Sequence, residues 1–377
     1  MLRRVLIIAG EASGDGHGAG VVRELKRRVP DLDVYGVGGD GMRQAGMDLL
    51  AHISGLAFMG FVEVVRHLGV IRRLESTLAR ALQERRPDVV VLIDYPGFNL
   101  RFARRARQLG IPVLYYISPQ VWAWHRGRVR RMRHLVSRMK VVFPFEVEIY
   151  RQAGVDVEFV GHPLAERIGS NVTRDSFFRQ HTLDPGRRLL GIFPGSRHQE
   201  IERILPVMLQ AAGLVQQTHD VQVALSVAPS LGVEVVRPYL TDARGVVAIE
   251  HGTYDLMCHA DAGLVTSGTA TLEMGWFGTP MAVVYRTSFP TYVLGRMLVR
   301  VDTIALCNIV AGSRVVPEYI QHEATPDRLA SAVARMLDDE AYAAGMRAQL
   351  SVIRRNLGGP GASRRVAEAV LDLGARA

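Results

Sequence analysis

The sequence predicts an α/β protein of two Rossmann-like, doubly wound domains, each a parallel sheet covered by helices on both faces. Short, continuous apolar runs alternate with amphipathic segments from Val5 to Val160, and the same alternation restarts at Leu189. Strands buried on both faces of a parallel sheet have this appearance. A chain of 377 residues is also too long for one ordinary domain.

The alternation gives each domain its own set of strands. Those of the first are predicted at Val5–Ala9, Asp33–Val37, Asp88–Ile93, Val113–Ile117, Lys140–Phe143 and Glu158–Val160, with connecting helices that include His17–Arg28 and Arg128–Met139. Those of the second are predicted at Leu189–Phe193, Val221–Ala228, Val246–Glu250, Ala262–Thr266 and Met281–Tyr285. We expect an N-terminal domain of residues 1–163, a C-terminal domain of residues 164–345, and a helical segment, 346–377, that packs back on the first domain.

The composition excludes several classes of protein. It is 48% hydrophobic and 22% charged, as in ordinary globular proteins. No apolar run approaches the ~20 residues needed to span a bilayer, and the short run after Arg4 reads as a strand rather than a signal peptide. Two cysteines, Cys258 and Cys307, give no disulfide framework, which fits a cytosolic location.

Positive charge is concentrated in one window. Between Asp94 and Glu146 there is no acidic residue but eleven Lys and Arg, seven of them from Arg126 to Lys140. Such a block favours an anionic partner, which could be nucleic acid, a phosphorylated substrate or an acidic membrane surface. It could also be the solvated face of a helix. Trp122 and Trp124 just before it would suit a nucleic-acid surface.

A glycine-rich loop, residues 10–19, follows the first strand. Gly14, Gly16 and Ala19 match the dinucleotide-binding pattern G-x-G-x-x-A, but the match starts four residues after the strand ends. These glycines therefore cannot make the strand-to-helix turn that this fingerprint requires. We expect them to let a ligand or the other domain approach the backbone closely.

Asp94 follows a strand of Val, Leu and Ile, at the end of a parallel sheet where ligands bind. A carboxylate there can accept a proton from a substrate hydroxyl, and Asn99 could orient the sugar that carries it. Alternatively, Asp94 could simply cap the following helix.

Two loops of the second domain have the chemistry of an anion site. In each, a strand ends, a glycine opens the backbone and a helix begins, so that backbone N–H groups can meet a diphosphate. The first supplies Gly195, Ser196 near the helix cap, and the guanidinium of Arg197. The second, residues 265–273, supplies the hydroxyls of Ser267, Thr269 and Thr271, with Glu273 one turn later to hold a ribose. Either could instead be a well-capped βα turn.

Two further stretches combine polar and apolar residues. Asn308, Glu318 and Gln321 lie in apolar surroundings and are expected to face the cleft between the domains. The segment from Phe58 to Leu74 is strongly apolar with arginines among its residues. It is either a core helix or a helix that lies at a membrane interface or holds an acyl chain.

Together these stretches resemble the lipid-A-disaccharide synthases, glycosyltransferases of the two-domain B type (GT-B). The resemblance covers nearly the whole chain and depends on seven or more motifs in order. They are Gly10-Glu11-Ala12-Ser13-Gly14-Asp15, Asp94-Tyr95-Pro96-Gly97-Phe98-Asn99, Ser118-Pro119-Gln120-Val121-Trp122-Ala123-Trp124, Phe143-Pro144-Phe145-Glu146, Val160-Gly161-His162-Pro163, Pro194-Gly195-Ser196-Arg197, Thr266-Ser267-Gly268-Thr269-Ala270-Thr271-Leu272-Glu273, and Asn308 with Ala311-Gly312.

The resemblance implies a reaction and a set of roles. UDP-2,3-diacylglucosamine and 2,3-diacylglucosamine 1-phosphate would be joined by a β(1→6) bond, with inversion and release of UDP. Asp94 would be the base. The implied donor (UDP) residues are Gly195, Ser196, Arg197, Ser267, Gly268, Thr269, Glu273, Asn308 and Gln321. The implied acceptor-loop residues are Glu11, Ser13, Asp15, Asn99 and Gln120. No cofactor is expected, and since no metal-ligand cluster is recognisable, Arg197 would neutralise charge in place of a metal.

The lipid substrates would place the protein on the inner face of the cytoplasmic membrane as a peripheral protein. Under the resemblance, the acyl-chain or membrane contacts are Phe61, Val62, Val65, Leu68 and Ile71. The Arg126–Lys140 block would favour anionic head groups or the acceptor phosphate. The sequence leaves open whether the chain forms a homodimer.

Two other functions remain open from the residues alone. One is a different enzyme of the same architecture, such as a UDP-sugar epimerase or a peptidoglycan-type transferase, whose soluble donor would need no apolar helix. The other is a nucleic-acid-binding module built on the basic block, which would show steeply salt-dependent binding.

Overall fold

The computed structural model describes residues 2–55, 68–119, 126–241, 243, 245–288, 292 and 303–376. The chain divides into two compact units. The first contains residues 1–166 and 357–377, and the second contains residues 167–356.

In the first unit the described residues form a seven-stranded parallel sheet of order β3-β2-β1-β4-β5-β6-β7. Its strands are β1 (Arg4–Ala9), β2 (Asp33–Gly38), β3 (Asp48–His52), β4 (Val89–Ile93), β5 (Val113–Tyr116), β6 (Arg138–Val141) and β7 (Val157–Phe159). Its helices are α1 (Ala12–Arg28), α2 (Asp40–Gln44), α3 (Leu68–Glu84), α4 (Pro96–Gln108), α5 (Arg126–Leu135), α6 (Pro144–Gln152) and, near the C-terminus, α15 (Ala362–Arg376).

The second unit repeats this plan with a six-stranded parallel sheet of order β10-β9-β8-β11-β12-β13. Its strands are β8 (Arg188–Phe193), β9 (Val221–Ser226), β10 (Val246–Ile249), β11 (Ala262–Thr266), β12 (Met281–Tyr285) and β13 (Glu318–Ile320). Its described helices are α7 (Arg174–Gln180), α8 (His198–Thr218), α9 (Val233–Leu240), α10 (Thr253–His259), α11 (Thr269–Phe277), α12 (Leu306–Ala311), α13 (Pro326–Asp338) and α14 (Glu340–Leu357).

The predicted fold class is confirmed: both units are parallel α/β sheets, and a C-terminal helix is present. The central strands are apolar because helices cover both of their faces, and Val5, Leu6 and Ile7 of β1 are completely buried. In both sheets the strand order reverses direction beside the first strand, between β1 and β4 and between β8 and β11. Ligands of doubly wound sheets bind at the carboxyl ends of the strands at this reversal point.

Several predicted boundaries were wrong. The helix predicted at Arg128–Met139 ends at Leu135, and the next strand is Arg138–Val141. Strands β3 and β13 were not predicted, because both are short and only partly apolar.

Helix α1 begins at Ala12 rather than His17, so the glycine-rich stretch is mostly helical. Two glycines of α1, Gly18 and Gly20, allow close packing within the first unit; the expected close approach of a ligand or the other domain stays a prediction. A Cβ at Gly18 would lie 2.7 Å from the Met42 sulfur, and one at Gly20 would collide with Ser363 of α15. The lack of a Cβ at these glycines therefore allows α1 to pack closely against its neighbours.

The last helix, α15, packs on α1 in the first unit. Arg28 of α1 forms an ion pair with Glu368 at 2.9 Å, and Arg365 donates a hydrogen bond to the Val160 carbonyl at 2.9 Å. The chain returns to the first unit at Leu357, later than residue 346. The reason is that α14 packs in the second unit, where Arg354 donates to the Trp276 carbonyl at 2.6 Å.

Candidate functional site

Asp94 is the first residue after β4, at the reversal point of the first sheet. The pairing of Ala9 with Ile93 brings the end of β1 beside it. Its backbone has φ +46°, and Tyr95 (+45°) and Ile117 (+61°) are also left-handed. Such conformations are strained for residues other than glycine and tend to cluster at functional sites. Three of them lie at the ends of the adjacent strands β4 and β5.

Hydrogen bonds from its neighbours hold the Asp94 backbone in this conformation. Its N–H donates to the Tyr116 carbonyl at 3.0 Å, and its carbonyl accepts from the Tyr115 hydroxyl at 2.6 Å and the Asn99 amide at 2.8 Å. Asn99 also donates to the Ile93 carbonyl at 3.2 Å and is completely buried. The Asn99 amide nitrogen therefore positions the Asp94 loop, and the expectation that Asn99 orients a sugar stays a prediction.

The Asp94 carboxyl is a weaker acid than an ordinary aspartic acid. Burial, and secondarily the negative charge of Glu11, raise its pKa to about 6, while the backbone N–H of Tyr95 partly offsets the rise. A carboxylate with a pKa close to the working pH is a more effective general base than an ordinary one. The combination of position, backbone strain and raised pKa marks Asp94 as a candidate catalytic group.

The acceptor-loop residues have different environments. Glu11 is the N-cap residue of α1 and is exposed, as is Ser13 in the first turn. Asp15 is buried and accepts hydrogen bonds from the backbone N–H groups of Gly39 (2.7 Å), Gly41 (2.9 Å) and Met42 (3.0 Å). The Asp15 carboxylate therefore holds the turn before α2, and its predicted contribution to the acceptor loop stays a prediction.

Some predicted residues lie outside the described residues: Gln120 with Trp122 and Trp124, and the lipid-contact residues Phe61, Val62 and Val65. Leu68 and Ile71 lie in the first turn of α3, but their side chains are not described. Further along the same helix, Leu74 and Leu78 are buried in the core of the first unit.

In the second unit, two predicted donor loops follow adjacent strands. Phe193 of β8 pairs with Val265 of β11, so the loops that begin at Pro194 and Ser267 lie beside each other at the reversal point. Gly195 has φ +115°, a conformation that favours glycine.

The start of α8 is organised by Glu200, which we did not single out from the sequence as a site residue. The N-cap residue is Arg197 rather than Ser196. The Glu200 carboxylate accepts from the backbone N–H groups of Ser196 (2.9 Å) and Arg197 (3.2 Å), and from the Arg197 guanidinium (3.0 Å). A Glu three residues after the N-cap is a known capping signal that would have identified it.

At the start of α11, two of the three hydroxyls predicted to bind an anion donate to backbone carbonyls instead. Gly268 is the N-cap residue, and Thr269 is exposed in the first turn. The Ser267 hydroxyl donates to the Ile304 carbonyl at 3.0 Å, and that of Thr271 donates to the Gly268 carbonyl at 2.8 Å. These two hydroxyls stabilise the loop, so of the three predicted anion donors only Thr269 remains exposed.

Glu273, one turn into α11, has two partners that were not predicted. It accepts a hydrogen bond from the Tyr254 hydroxyl at 3.2 Å and lies 4.0 Å from the Arg167 guanidinium. Burial raises its pKa, and Arg167 and Tyr254 partly offset the rise. Its side chain is 15% exposed, so it is mostly buried but not completely closed off from solvent.

Asn308 and Glu318 hold a loop of the second unit together. Asn308 is completely buried, donates to Glu318 (2.7 Å) and the Val316 carbonyl (3.0 Å), and accepts from the N–H groups of Val315 (2.8 Å) and Val316 (3.0 Å). Glu318 also accepts from the backbone N–H groups of residues 304 and 305. The polar atoms of both side chains are therefore bonded within the unit, and their predicted place at a ligand stays a prediction.

Gln321 is the polar residue of this stretch that faces open space. It lines a cavity of about 610 Å³ in the second unit together with Arg203, Arg286 and His322. Its amide exchanges two hydrogen bonds with the Thr287 backbone, accepting at 2.7 Å and donating at 3.0 Å.

The basic block has two parts. Lys140 is buried and paired with Glu158, and Arg138 lies 3.4 Å from Asp156. These two cations are therefore structural. Arg130, Arg131 and Arg133 of α5 are exposed. Arg131 contributes to a groove of about 460 Å³ that is also lined by three arginines of α4, at 101, 104 and 105.

Among the described residues, no group of three or more His, Cys, Asp or Glu side chains is arranged to hold a metal ion. No described helix has both the length and the apolar character needed to cross a membrane.

Comparison with known proteins places this architecture in a family. Residues 5–369 match the family model of lipid-A-disaccharide synthetase. A lipid-A-disaccharide synthase of Geobacter sulfurreducens is 49% identical over 372 residues, covering 98% of this chain and 97% of that protein.

Solved structures share the fold at low sequence identity. The glycotransferase of kitacinnamycin has a TM-score of 0.66 at 17% identity and covers 99% of both chains. A UDP-GlcNAc 2-epimerase from Neisseria meningitidis, bound to UDP-GlcNAc, has a TM-score of 0.65 at 14% identity over 98% of this chain and 100% of that one. Taken with the family match, this GT-B fold leads to one conclusion: the chain belongs to the lipid-A-disaccharide synthetase family and is a glycosyltransferase of lipid A biosynthesis.

Proposed function

We propose that this enzyme joins UDP-2,3-diacylglucosamine to 2,3-diacylglucosamine 1-phosphate through a β(1→6) bond, with inversion at the anomeric carbon. The 6-hydroxyl oxygen of the acceptor attacks the anomeric carbon from the face opposite the diphosphate. The bond from that carbon to the diphosphate oxygen breaks, and UDP leaves with the bonding electrons. The hydroxyl proton goes to a base, so the reaction needs a base for the acceptor and positive charge for the leaving group.

Asp94 is the proposed base, and its environment is the observation that carries the proposal. The carboxyl lies at the carboxyl end of β4, where ligands of such sheets bind, and its pKa is raised to about 6. At neutral pH it is mostly ionised, yet it holds a proton more strongly than an ordinary Asp does. The bonds from Tyr115 and Asn99 fix its backbone, which supports a positioned base rather than a helix cap.

The second unit would bind the donor. Arg197 and the starts of α8 and α11 place a guanidinium and backbone N–H groups at the reversal point of its sheet, which suits a diphosphate. Glu273, held by Tyr254 and Arg167, would accept the ribose hydroxyls, and Gln321 would face the donor from its cavity. Gly195 and Gly268 would allow close approach of the backbone. In this proposal no metal is needed, because Arg197 provides the positive charge.

The lipid substrates would be reached from the inner face of the cytoplasmic membrane by peripheral association. The apolar set Phe61, Val62, Val65, Leu68 and Ile71 would contact acyl chains. The exposed arginines of α5 support this proposal, since anionic head groups attract such clusters. A homodimer would be compatible with this function.

The test is a product assay with both lipid substrates in detergent, in which mass spectrometry detects the acylated disaccharide and UDP. Wild-type protein should form both, and Asp94→Asn should form them far more slowly while folding normally. Failure of the wild type to form the disaccharide from these two substrates would refute the proposed reaction. Near-wild-type turnover by Asp94→Asn would refute only the role of the base.

A further inference from the structure

One carboxylate occupies the anion-binding groups at the start of α8. Glu200 accepts from the N–H groups of Ser196 and Arg197 and from the Arg197 guanidinium, at 2.9, 3.2 and 3.0 Å. Two neighbouring backbone N–H groups and a guanidinium are the partners that phosphate oxygens use at a helix start. The donors assigned to a diphosphate are therefore already bonded to an anion of the chain itself.

The backbone leaves room for this carboxylate. Gly195 has φ +115°, and a Cβ at that position would collide with the Glu200 carboxylate. The space above the end of β8 is thus filled by Glu200 and not by a side chain of residue 195. The same space borders the loop after β11, because Phe193 pairs with Val265.

We propose that Glu200 is an internal anion that takes the place of the nucleotide diphosphate and must be displaced when the donor binds. The proposal rests on the donor function described above. A diphosphate and a carboxylate cannot share these donors, because each needs the same hydrogen bonds and the two repel each other. Glu200 lies on the first turn of α8 with its side chain 21% exposed, so the carboxylate can turn outward into solvent.

Displacement has a consequence for affinity and turnover. Displacing Glu200 from these donors costs free energy. UDP therefore binds more weakly than it would if the donors had no partner within the chain. When Glu200 returns to these donors after the sugar has been transferred, it favours release of UDP. Glu200 is therefore a positioning residue that sets nucleotide affinity without touching the reacting atoms.

The experiment measures binding of UDP and of uridine by calorimetry to the wild-type chain, Glu200→Gln and Glu200→Ala. Both variants should bind UDP about tenfold more tightly than wild type, because a like charge next to the diphosphate has been removed. Uridine affinity should not change, because uridine has no phosphate. The gain for UDP should shrink at high salt, which screens the charge.

Glu340→Gln is the matched control. It removes the same charge from the second unit, and Glu340, in the first turn of α14, is 79% exposed; its UDP affinity should stay within about twofold of wild type. If UDP binds to both Glu200 variants no more tightly than to wild type, Glu200 is only a helix cap and the inference is wrong. If the wild type and all variants fail to bind UDP, the proposed donor function fails, and the inference with it.

Discussion

The reversal points of the two sheets share a topology but have opposite chemistry. In the first unit, the loop after β4 presents a carboxyl whose pKa is raised to about 6 by burial and by Glu11. In the second unit, the loop after β8 presents hydrogen-bond donors whose partner is the carboxylate of Glu200. Strand order decides where a site can form, whereas side chains and burial decide whether it accepts protons or binds anions.

The largest expected effect concerns the carboxyl at the reversal point of the first unit. Asp94→Asn should lower kcat by about 10³-fold, within the range for loss of a general base. The affinity for UDP should stay unchanged, because the donor groups belong to the other unit. Steady-state kinetics and calorimetry would measure the two quantities, and thermal unfolding would check the fold. A variant that lost UDP binding as well as kcat would show that Asp94 also contributes to donor binding.

The second prediction concerns the hydrogen-bond donors at the reversal point of the second unit. Arg197→Ala should raise the Kd for UDP by about 30-fold, since a charge-assisted hydrogen bond contributes roughly 1.5–3 kcal/mol. Arg335→Ala, in the last turn of α13 and outside the proposed donor loops, serves as the control and should change the UDP affinity much less. Calorimetry with UDP gives the comparison. Equal losses in the two variants would mean that general positive charge, and not the position of Arg197, determines binding.

The third prediction separates residues that support a loop from residues that bind a ligand. Asn308→Ala should lower the free energy of unfolding by about 2–4 kcal/mol, because it removes one partner of Glu318 and the partner of the Val315 and Val316 N–H groups. In the folded fraction the UDP affinity should stay close to wild type. Chemical denaturation and calorimetry measure the two quantities. A stable variant that had lost UDP binding would show that Asn308 itself belongs to the donor site.

The smallest predicted effect concerns pH. Protonation of Asp94 removes the base, so kcat/KM of the wild type should fall as the pH drops through about 6. Glu11→Gln removes a negative charge that raises this pKa, so the acid limb should move to lower pH, by less than about one unit. A pH–rate profile of both proteins would show the shift. An unchanged limb would mean that burial alone sets the pKa.

The position of the candidate site could be predicted from the sequence more reliably than the role of each residue in it. Asp94 and Arg197 were identified because each follows an apolar strand, and parallel strands place their carboxyl ends at one edge. Asp15 was assigned to a ligand through the family resemblance, Asn99 through its place after Asp94, and Asn308 as a polar residue in an apolar stretch. Their hydrogen bonds turn out to be made to the chain itself.

By itself, the sequence determined the fold class, the order of the motifs and the resemblance to a glycosyltransferase family, because strand periodicity and turn chemistry are local properties of the chain. Only the tertiary structure decided which polar groups are already bonded, how far burial raises the pKa of Asp94, and that Glu200 occupies the donors at the start of α8. Those properties depend on atoms that are distant in sequence or on side-chain conformation, and no pattern of residue types contains them.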